Sequence, residues 1–187
     1  MKTKNKISLA FIFTGLVLLA NSCSSIPKKA SAVDNFDVKK YLGTWYEIAR
    51  FDFRFEKDLD NTSAQYQLIN DGKVSVLNSG FNFKKKEWKK ADGVAKFRGE
   101  KTKAALKVSF FGPFYSGYNV VALDKNYQYA LVAGKDLDYL WILSRTKNIP
   151  EEVKAEYLKI AAAIGYDISK LIWVNHDRND SPFLNEN

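Results

Sequence analysis

Between residues 43 and 144, apolar and polar positions alternate in short stretches that turn-forming residues separate. Alternation with a period of two is typical of half-buried β-strands, and segments such as Asn70–Gly72 and Gly112–Pro113 are typical of turns. The pattern predicts eight strands, over residues 42–51, 62–69, 74–83, 87–97, 104–111, 118–123, 127–133 and 139–144. Their short connections predict an antiparallel up-and-down order, and eight strands close readily into a barrel.

After the eighth strand, the period of the apolar positions changes from two to that of a helix. Pro150 opens this segment, Glu151 and Glu152 occupy its first turn, and Gly165 ends it. One face carries the apolar residues Val153, Tyr157, Ile160, Ala161 and Ile164. The sequence therefore predicts an all-β fold with one C-terminal α-helix packed on the outside of the barrel. A short final strand, residues 171–174, is predicted to pair with the first.

The N-terminus has the pattern of an export signal. Three lysines at positions 2, 4 and 6 precede a 14-residue apolar run from Ile7 to Ala20. The run is too short to span a bilayer and has the length of a signal-peptide core. Small residues just before Cys23 resemble the cleavage site of a bacterial lipoprotein, at which the cysteine is acylated. Residues 1–22 are therefore predicted to be a signal peptide, with ordinary secretory cleavage near Ser22 as the alternative.

Cys23 is the only cysteine of the chain, so no internal disulfide can form. Acylation would remove its free thiol from an oxidising compartment, and more than one acyl chain gives a stable membrane anchor. Ser24 differs from the aspartate that retains enterobacterial lipoproteins in the inner membrane, which favours the outer membrane, facing the periplasm. We expect residues 23–33 to be a lipidated flexible tether and residues 34–187 to form one domain.

The charge of the chain changes when the leader is removed. The formal charge falls from +8 to +5, because three lysines leave with residues 1–22. A basic cluster remains at residues 84–86 and 89–90, interleaved with Trp88. Aromatic and basic residues together can indicate nucleic-acid binding. A solvated hairpin loop fits an exported protein better, and attraction to anionic lipid head groups is an alternative. No nucleic-acid partner is expected.

The sequence lacks the residues for several common catalytic sites, so enzyme activity would have to come from tyrosine, lysine or a lone carboxylate. Its one histidine, His176, follows the last predicted strand and is predicted to be an exposed tail residue. One histidine and no free cysteine do not supply a zinc site, a Cys-His pair or a Ser-His-Asp triad. We therefore predict a binding protein rather than an enzyme, with no metal and no cofactor.

Three short motifs lie in order on the predicted elements. Gly43–Trp45 begins the first strand, Asp124–Tyr127 forms a turn, and Arg145 ends the eighth strand. Together they resemble the lipocalins, in particular the type found as bacterial outer-membrane lipoproteins, over residues 36–174. The resemblance implies that Gly43, Trp45 and Arg145 form a structural floor at the closed end of the barrel, with the arginine lying across the tryptophan.

The lipocalin resemblance also implies an apolar cavity, although the side chains could instead fill a solid core. Taking Trp45 as inward places Ala49 and Phe51 on the same face by alternation. With the family's register, the predicted ligand-binding residues are Phe51, Ala64, Tyr66, Val76, Asn78, Phe97, Val108, Phe110, Tyr115, Val120, Tyr139 and Trp141. Asn78, Tyr66 and Tyr139 are candidate partners of a polar head group. Glu47 would also face inward, where it needs a basic partner or water.

The segment Gly112–Tyr118 is predicted to be a loop at the open end that exposes Phe114, Tyr115 and Tyr118. Such aromatic patches mark ligand entry, a membrane or a partner protein. The lipocalin resemblance implies a homodimer through the open ends. It also implies that the barrel binds a lysophospholipid or a fatty acid, for lipid storage or transport in membrane maintenance. Two alternatives are another small apolar ligand, such as a pigment, sterol or haem, and a filled barrel that acts as an envelope interaction protein.

Overall fold

The structure is a computed structural model that describes residues 25–184. The predicted signal peptide and Cys23 lie outside the described residues. Within this range the regular elements are α1 (Val38–Tyr41), β1 (Gly43–Phe51), β2 (Leu59–Ile69), β3 (Lys73–Asn82), β4 (Glu87–Phe97), β5 (Ala105–Phe111), β6 (Phe114–Leu123), β7 (Tyr129–Ala133), β8 (Leu140–Ser144), α2 (Glu151–Ile164) and β9 (Leu171–Trp173).

Strands β1 to β8 form a closed antiparallel barrel in which each strand pairs with the next. The barrel closes because β1 pairs with β8 along one edge and, through Gly43–Tyr46, with β2 along the other. The last three residues of β1 pair instead with β9. This architecture confirms the predicted eight-stranded up-and-down barrel, including the short final strand that returns to the first.

The up-and-down order places alternate loops at opposite ends of the barrel. Residues 70–72, 98–104 and 124–128 connect strands at one end, which α1 covers; this is the closed end. Residues 52–58, 83–86, 112–113 and 134–139 connect strands at the other end, the open end. The region enclosed by these latter loops is called the mouth below.

Two local elements differ from the prediction. The loop predicted over Gly112–Tyr118 is mostly strand, because β6 begins at Phe114 and only two residues connect it to β5. The four-residue helix α1 was not predicted, since it is too short to show a helical period. Its N-terminus is capped by Asp37, whose side chain accepts a hydrogen bond from the Lys39 amide at 2.9 Å.

Helix α2 packs on the outside of the barrel, as predicted. Its buried residues Tyr157, Ala161 and Ile164 contact outward-facing residues of β1, β7 and β8. The Tyr157 hydroxyl donates to the Tyr129 carbonyl at 2.8 Å, which joins the helix to β7. Gly165 ends the helix with a φ of 117°, a conformation that favours glycine. No helix among residues 25–184 has the length and apolar character needed to cross a membrane.

The segments that flank the barrel pack against it. Ala32 is buried, and the Val33 amide donates to the Val120 carbonyl at 2.9 Å. The expectation of a flexible tether is therefore wrong for residues 25–33. His176 is also not an exposed tail residue, because its Nε2 lies 2.8 Å from the Glu47 carbonyl oxygen. The ring of His176 also packs edge-on against Tyr46, and burial lowers the pKa of its imidazole.

Candidate functional site

The closed end of the barrel is sealed by Trp45 and Arg145. Trp45 is fully buried, and its Nε1 donates to the Tyr41 carbonyl at 2.8 Å. The Arg145 guanidinium lies 3.9 Å from the centre of the Trp45 ring system. This guanidinium also donates to the carbonyls of Thr44, Lys40 and Tyr127 at 2.8, 2.8 and 3.1 Å. The two side chains therefore tie β1, β8, α1 and the turn before β7 together as a floor.

Above this floor, most of the inner face is apolar. Trp45 shares one continuous cluster with residues from α1 and from all strands except β9. The predicted ligand-binding residues in this cluster are Ala64, Tyr66, Val76, Phe97, Val108, Phe110, Val120 and Trp141. The structure therefore brings these eight side chains together inside the barrel. Asn78 lies on the same inner face, because it pairs with Ala64 across β2 and β3.

Three tyrosine hydroxyls meet inside the barrel above the floor. The Tyr118 hydroxyl lies 2.7 Å from that of Tyr41 and 2.9 Å from that of Tyr66. Burial raises the pKa of all three phenols, so they stay protonated at neutral pH. Three O–H groups joined by two hydrogen bonds leave one donor for an oxygen of a ligand. Tyr41 and Tyr118 were not among the predicted ligand-binding residues.

A buried cluster of two carboxylates and one guanidinium lies closer to the mouth. Arg50 Nη1 donates to Glu47 Oε1 at 3.2 Å, and Arg50 Nε lies 3.7 Å from Glu56 Oε2. Arg50 Nη2 donates to the carbonyls of Glu56 and Leu59, both at 2.9 Å. Arg50 therefore holds the loop between β1 and β2 against the inner side of the barrel.

The acidic groups of this cluster outnumber the basic group by one. Burial raises the pKa of Glu56 to about 7, against the opposing attraction of Arg50 and the hydrogen bond from Trp141. Burial, and then repulsion from Glu56, also raise the pKa of Glu47 well above its ordinary value. A single guanidinium cannot fully compensate two buried carboxylates, so near neutral pH the pair retains a proton.

Aromatic rings surround the cluster at the mouth. Phe53 lies edge-on to both Tyr139 and Trp141, with ring centres 5.6 Å apart in each case. Tyr139 stacks on Trp141 at 6.2 Å, and Trp141 Nε1 donates to Glu56 Oε2 at 3.2 Å. Asn78 of β3, also on the inner face, has a buried Oδ1 without a hydrogen-bond partner among the described residues.

Phe51 does not line the interior, so that prediction is wrong. It packs edge-on against Tyr166 at 5.6 Å, in the cluster between the barrel and α2. The pairing of β1 with β8 shifts by one residue between Glu47 and Ala49, which is a β-bulge. Beyond such a shift the faces of a strand exchange. Ala49 and Phe51 consequently point outward and Arg50 points inward, although alternation from Trp45 predicts the opposite.

Tyr115 lies on the outer face as well, so its predicted ligand contact is wrong. Its ring lies between the ammonium groups of Lys96 and Lys107, 5.1 and 5.0 Å from its centre. Tyr118, predicted to be exposed at the mouth, is instead one of the three interior tyrosines. Both differences follow from β6 beginning at Phe114, because strand alternation then places Tyr118 inward and Tyr115 outward.

No group of three or more His, Cys, Asp or Glu side chains in the described part of the chain is arranged to hold a metal ion. The site is the interior of a barrel whose closed end is sealed by Trp45 and Arg145, with an apolar lining and a few buried polar groups. This is the architecture of a protein that binds a small hydrophobic ligand.

The family assignment follows from comparison of the whole chain. Residues 36–176 match the Lipocalin-like domain, so the chain belongs to the lipocalin family. Lipocalins bind small hydrophobic ligands and are generally binding or transport proteins. The resemblance carried by Gly43–Trp45 and Arg145 is thereby confirmed.

Among known proteins, the chain is similar to outer membrane lipoprotein Blc. It is 53% identical to Blc of Citrobacter freundii over 166 residues, which cover 89% of this chain and 94% of that one. It is 55% identical to Blc of Escherichia coli K12 over 158 residues, covering 84% and 89%. Insecticyanin of Manduca sexta shares the fold with a TM-score of 0.64 at 24% identity, covering 78% and 84%.

Proposed function

We propose that this lipocalin is an outer-membrane lipoprotein that binds a lysophospholipid or a fatty acid, with the acyl chain inside the barrel. The observation that carries the proposal is the continuous apolar lining between the Trp45 floor and the Trp141 mouth. Burial of an acyl chain against such a lining contributes about 25 cal/mol for each Å² of apolar surface removed from water, less the cost of ordering the ligand.

The polar groups inside the barrel favour a lysophospholipid over a free fatty acid. Glu47 and Glu56 exceed Arg50 by one acidic group, so the ammonium of a head group can replace the proton that the two carboxyls retain, whereas a carboxylate would add a third acidic group to the buried cluster. The Oδ1 of Asn78, which has no partner within residues 25–184, is an acceptor, and an ammonium is a donor. A glycerol or ester oxygen can accept from the tyrosine hydroxyls.

The location at the outer membrane is supported by the names of the Blc relatives, which are outer membrane lipoproteins. Acylation of Cys23, cleavage after residue 22 and a position facing the periplasm complete the proposal. In that setting, the protein stores or transports acyl lipids during membrane maintenance.

The four tryptophans provide a test, because two lie inside the barrel and two outside. Trp45 and Trp141 belong to the inner cluster. Trp88 packs on Phe81 of the outer face at 5.5 Å, and Trp173 lies beneath Lys154 of α2 at 4.5 Å. A lysophosphatidylethanolamine with bromine atoms on its acyl chain quenches the tryptophans that it touches. We expect Trp141→Phe to remove a large part of this quenching and Trp88→Phe to remove little.

The same titration, made with the chain Ser24–Asn187, compares this lipid with a brominated fatty acid of equal length. Tighter binding of the lysophospholipid supports the head-group argument, and equal affinity would contradict it. Saturation without quenching of Trp45 or Trp141 would contradict binding inside the barrel. Native mass spectrometry of the gently purified chain would then identify any other apolar compound that accompanies it.

A homodimer through the open ends stays a prediction, and it would use the exposed aromatic side chains around the mouth. Because a second copy and a membrane would compete for that surface, the two have to be separated by experiment.

A further inference from the structure

Three phenylalanines at the open end are exposed to solvent. The exposed fractions of Phe55, Phe111 and Phe114 are 64, 66 and 79%. Phe55 lies in the β1–β2 loop and Phe111 is the last residue of β5; their ring centres lie 5.7 Å apart, and Phe111 pairs with Phe114 across the β5–β6 turn. We call these three residues the aromatic rim. Neighbouring exposed phenylalanines that together form an apolar patch indicate a contact surface.

Basic side chains flank the aromatic rim. The Arg54 guanidinium lies 5.4 Å from the centre of the Phe55 ring. Lys96 and Lys107 enclose Tyr115, which follows Phe114 in β6. The neighbouring open-end turn carries three further lysines, at positions 84–86, of which Lys84 forms an ion pair with Asp58 at 2.9 Å. Phenylalanines bordered by lysines and arginine fit an interface between acyl chains and anionic head groups.

The start of the described chain lies on the same half of the barrel. The Ser25 carbonyl accepts a hydrogen bond from Asn119 Nδ2 at 2.9 Å. It also packs so closely on Gly117, next to Lys135 of an open-end loop, that no side chain fits at Gly117. Gly117 is three residues from Phe114 on β6, which corresponds to about 10 Å. Cys23 precedes Ser25 by two residues, and two residues reach at most about 7 Å.

We propose that the aromatic rim docks into the phospholipid bilayer that holds the Cys23 anchor, with its basic flank on anionic head groups. The segment between Cys23 and Ser25 is too short for the barrel to lie far from the membrane. It leaves the barrel on the half that carries the aromatic rim. The mouth then faces the bilayer, so an acyl ligand moves between membrane and barrel without crossing water. This proposal rests on the acylation of Cys23 that forms part of the proposed function.

The test uses the mature acylated protein in vesicles of phosphatidylethanolamine and phosphatidylglycerol. Because the only natural cysteine is blocked by acylation, an introduced cysteine is the only free thiol. Gly112→Cys places a nitroxide label at the turn between Phe111 and Phe114, and Gly99→Cys places one at the closed end. The two glycines form a matched pair, because a Cβ meets no atom within 4 Å at either position.

We expect the label at position 112 to be accessible to oxygen, which partitions into lipid, and protected from a water-soluble nickel complex. The label at position 99 should show the reverse. Replacing Phe111 and Phe114 together by serine in the Gly112→Cys protein should make the label at position 112 accessible to the nickel complex. These three results together support docking of the aromatic rim.

Three other results would overturn the proposal, and they have different meanings. If the labels at positions 112 and 99 are both in water while the protein stays bound to the vesicles, the Cys23 anchor is supported and docking of the aromatic rim is rejected. Spin–spin broadening at position 112 that disappears on dilution with unlabelled protein would show a second copy on the rim. Release of the protein from the vesicles would reject the Cys23 anchor and, with it, the orientation.

Discussion

The Arg145 guanidinium lies over Trp45, 3.9 Å from the centre of its ring system, and each of its three nitrogens donates to a backbone carbonyl. The arginine therefore stabilises the floor in two ways, through the indole face and through three chain segments that meet there. A cation over a desolvated indole contributes about 2 kcal/mol, and hydrogen bonds from a charged donor contribute about 1.5–3 kcal/mol.

Replacing Trp45 by alanine should lower the free energy of unfolding by about 3–5 kcal/mol, because it leaves a cavity at the floor and deprives Arg145 of its aromatic partner. Urea denaturation of the variant and the wild-type protein measures this difference. The exposed Trp173 provides the control, since Trp173→Ala removes an indole that is 44% exposed and should cost less. Equal losses would contradict the structural role of the floor.

Replacing Phe51 by alanine should cost about 3–5 kcal/mol of stability and leave the affinity for acyl lipids unchanged. The reason is the β-bulge between Glu47 and Ala49, which directs Phe51 toward Tyr166 and α2 instead of the interior. Urea denaturation and lipid titration of the same preparation give both quantities. A fall in lipid affinity with little loss of stability would place Phe51 on the inner face and contradict the bulge.

Replacing Trp141 by alanine should have the opposite effect. Trp141 is only partly buried, stacks on Tyr139 and donates to Glu56 at the mouth, so few packed groups depend on it. We expect the affinity for a lysophospholipid to fall about tenfold or more, as the loss of an apolar contact of this size implies, with a smaller loss of stability than in Phe51→Ala. Unchanged affinity would exclude Trp141 from the ligand site.

The stability of the protein should depend on pH through Glu56. Its pKa in the folded state is about 7, above the ordinary value of 4.5, so the folded state binds more protons between these values. The free energy of unfolding therefore contains a Glu56 contribution that falls as the pH rises from about 4.5 to about 7. Glu56→Gln removes this contribution, and the variant should gain stability relative to the wild-type protein by about 1–3 kcal/mol across that interval.

Thermal or urea denaturation of both proteins at pH 5 and pH 8 measures this change. His176, whose pKa is lowered, contributes with the opposite sign, but it is present in both proteins and cancels in the difference. The exposed Glu151 supplies a control for the loss of a carboxylate, since Glu151→Gln leaves the buried cluster of Arg50, Glu47 and Glu56 intact. Parallel pH profiles of the wild-type protein and Glu56→Gln would contradict the raised pKa.

Short-range patterns in the sequence were sufficient to predict most of the fold. The period-two alternation between residues 43 and 144 predicted eight strands, and the apolar stripe from Val153 to Ile164 predicted α2. The floor was predicted from the lipocalin resemblance, because Trp45 and Arg145 occupy fixed places at the ends of two adjacent strands.

The inner face was predicted less completely, because face assignment depends on every residue of a strand staying in register. In β1 the residues Ile48, Ala49 and Phe51 are all apolar and buried. They are buried because α2 covers this part of the outside of the barrel, so the outward positions here are not polar. Alternation therefore does not reveal the bulge, and Arg50 was missed as an inward group. Tyr118 was missed as an inward residue because the sixth strand was predicted to begin at residue 118, four residues later than β6 begins.

By itself the sequence determined the number and order of the strands, the helix and the position of the single cysteine, because these depend on local periodicity and composition. The tertiary structure decided which side of the barrel wall Arg50, Phe51 and Tyr115 occupy, since a one-residue shift between paired strands exchanges the faces. It also decided that Glu47 and Glu56 share one guanidinium, and that Ser25 lies near the aromatic rim. These relationships join residues that are distant in the chain, and only the closure of the barrel brings them together.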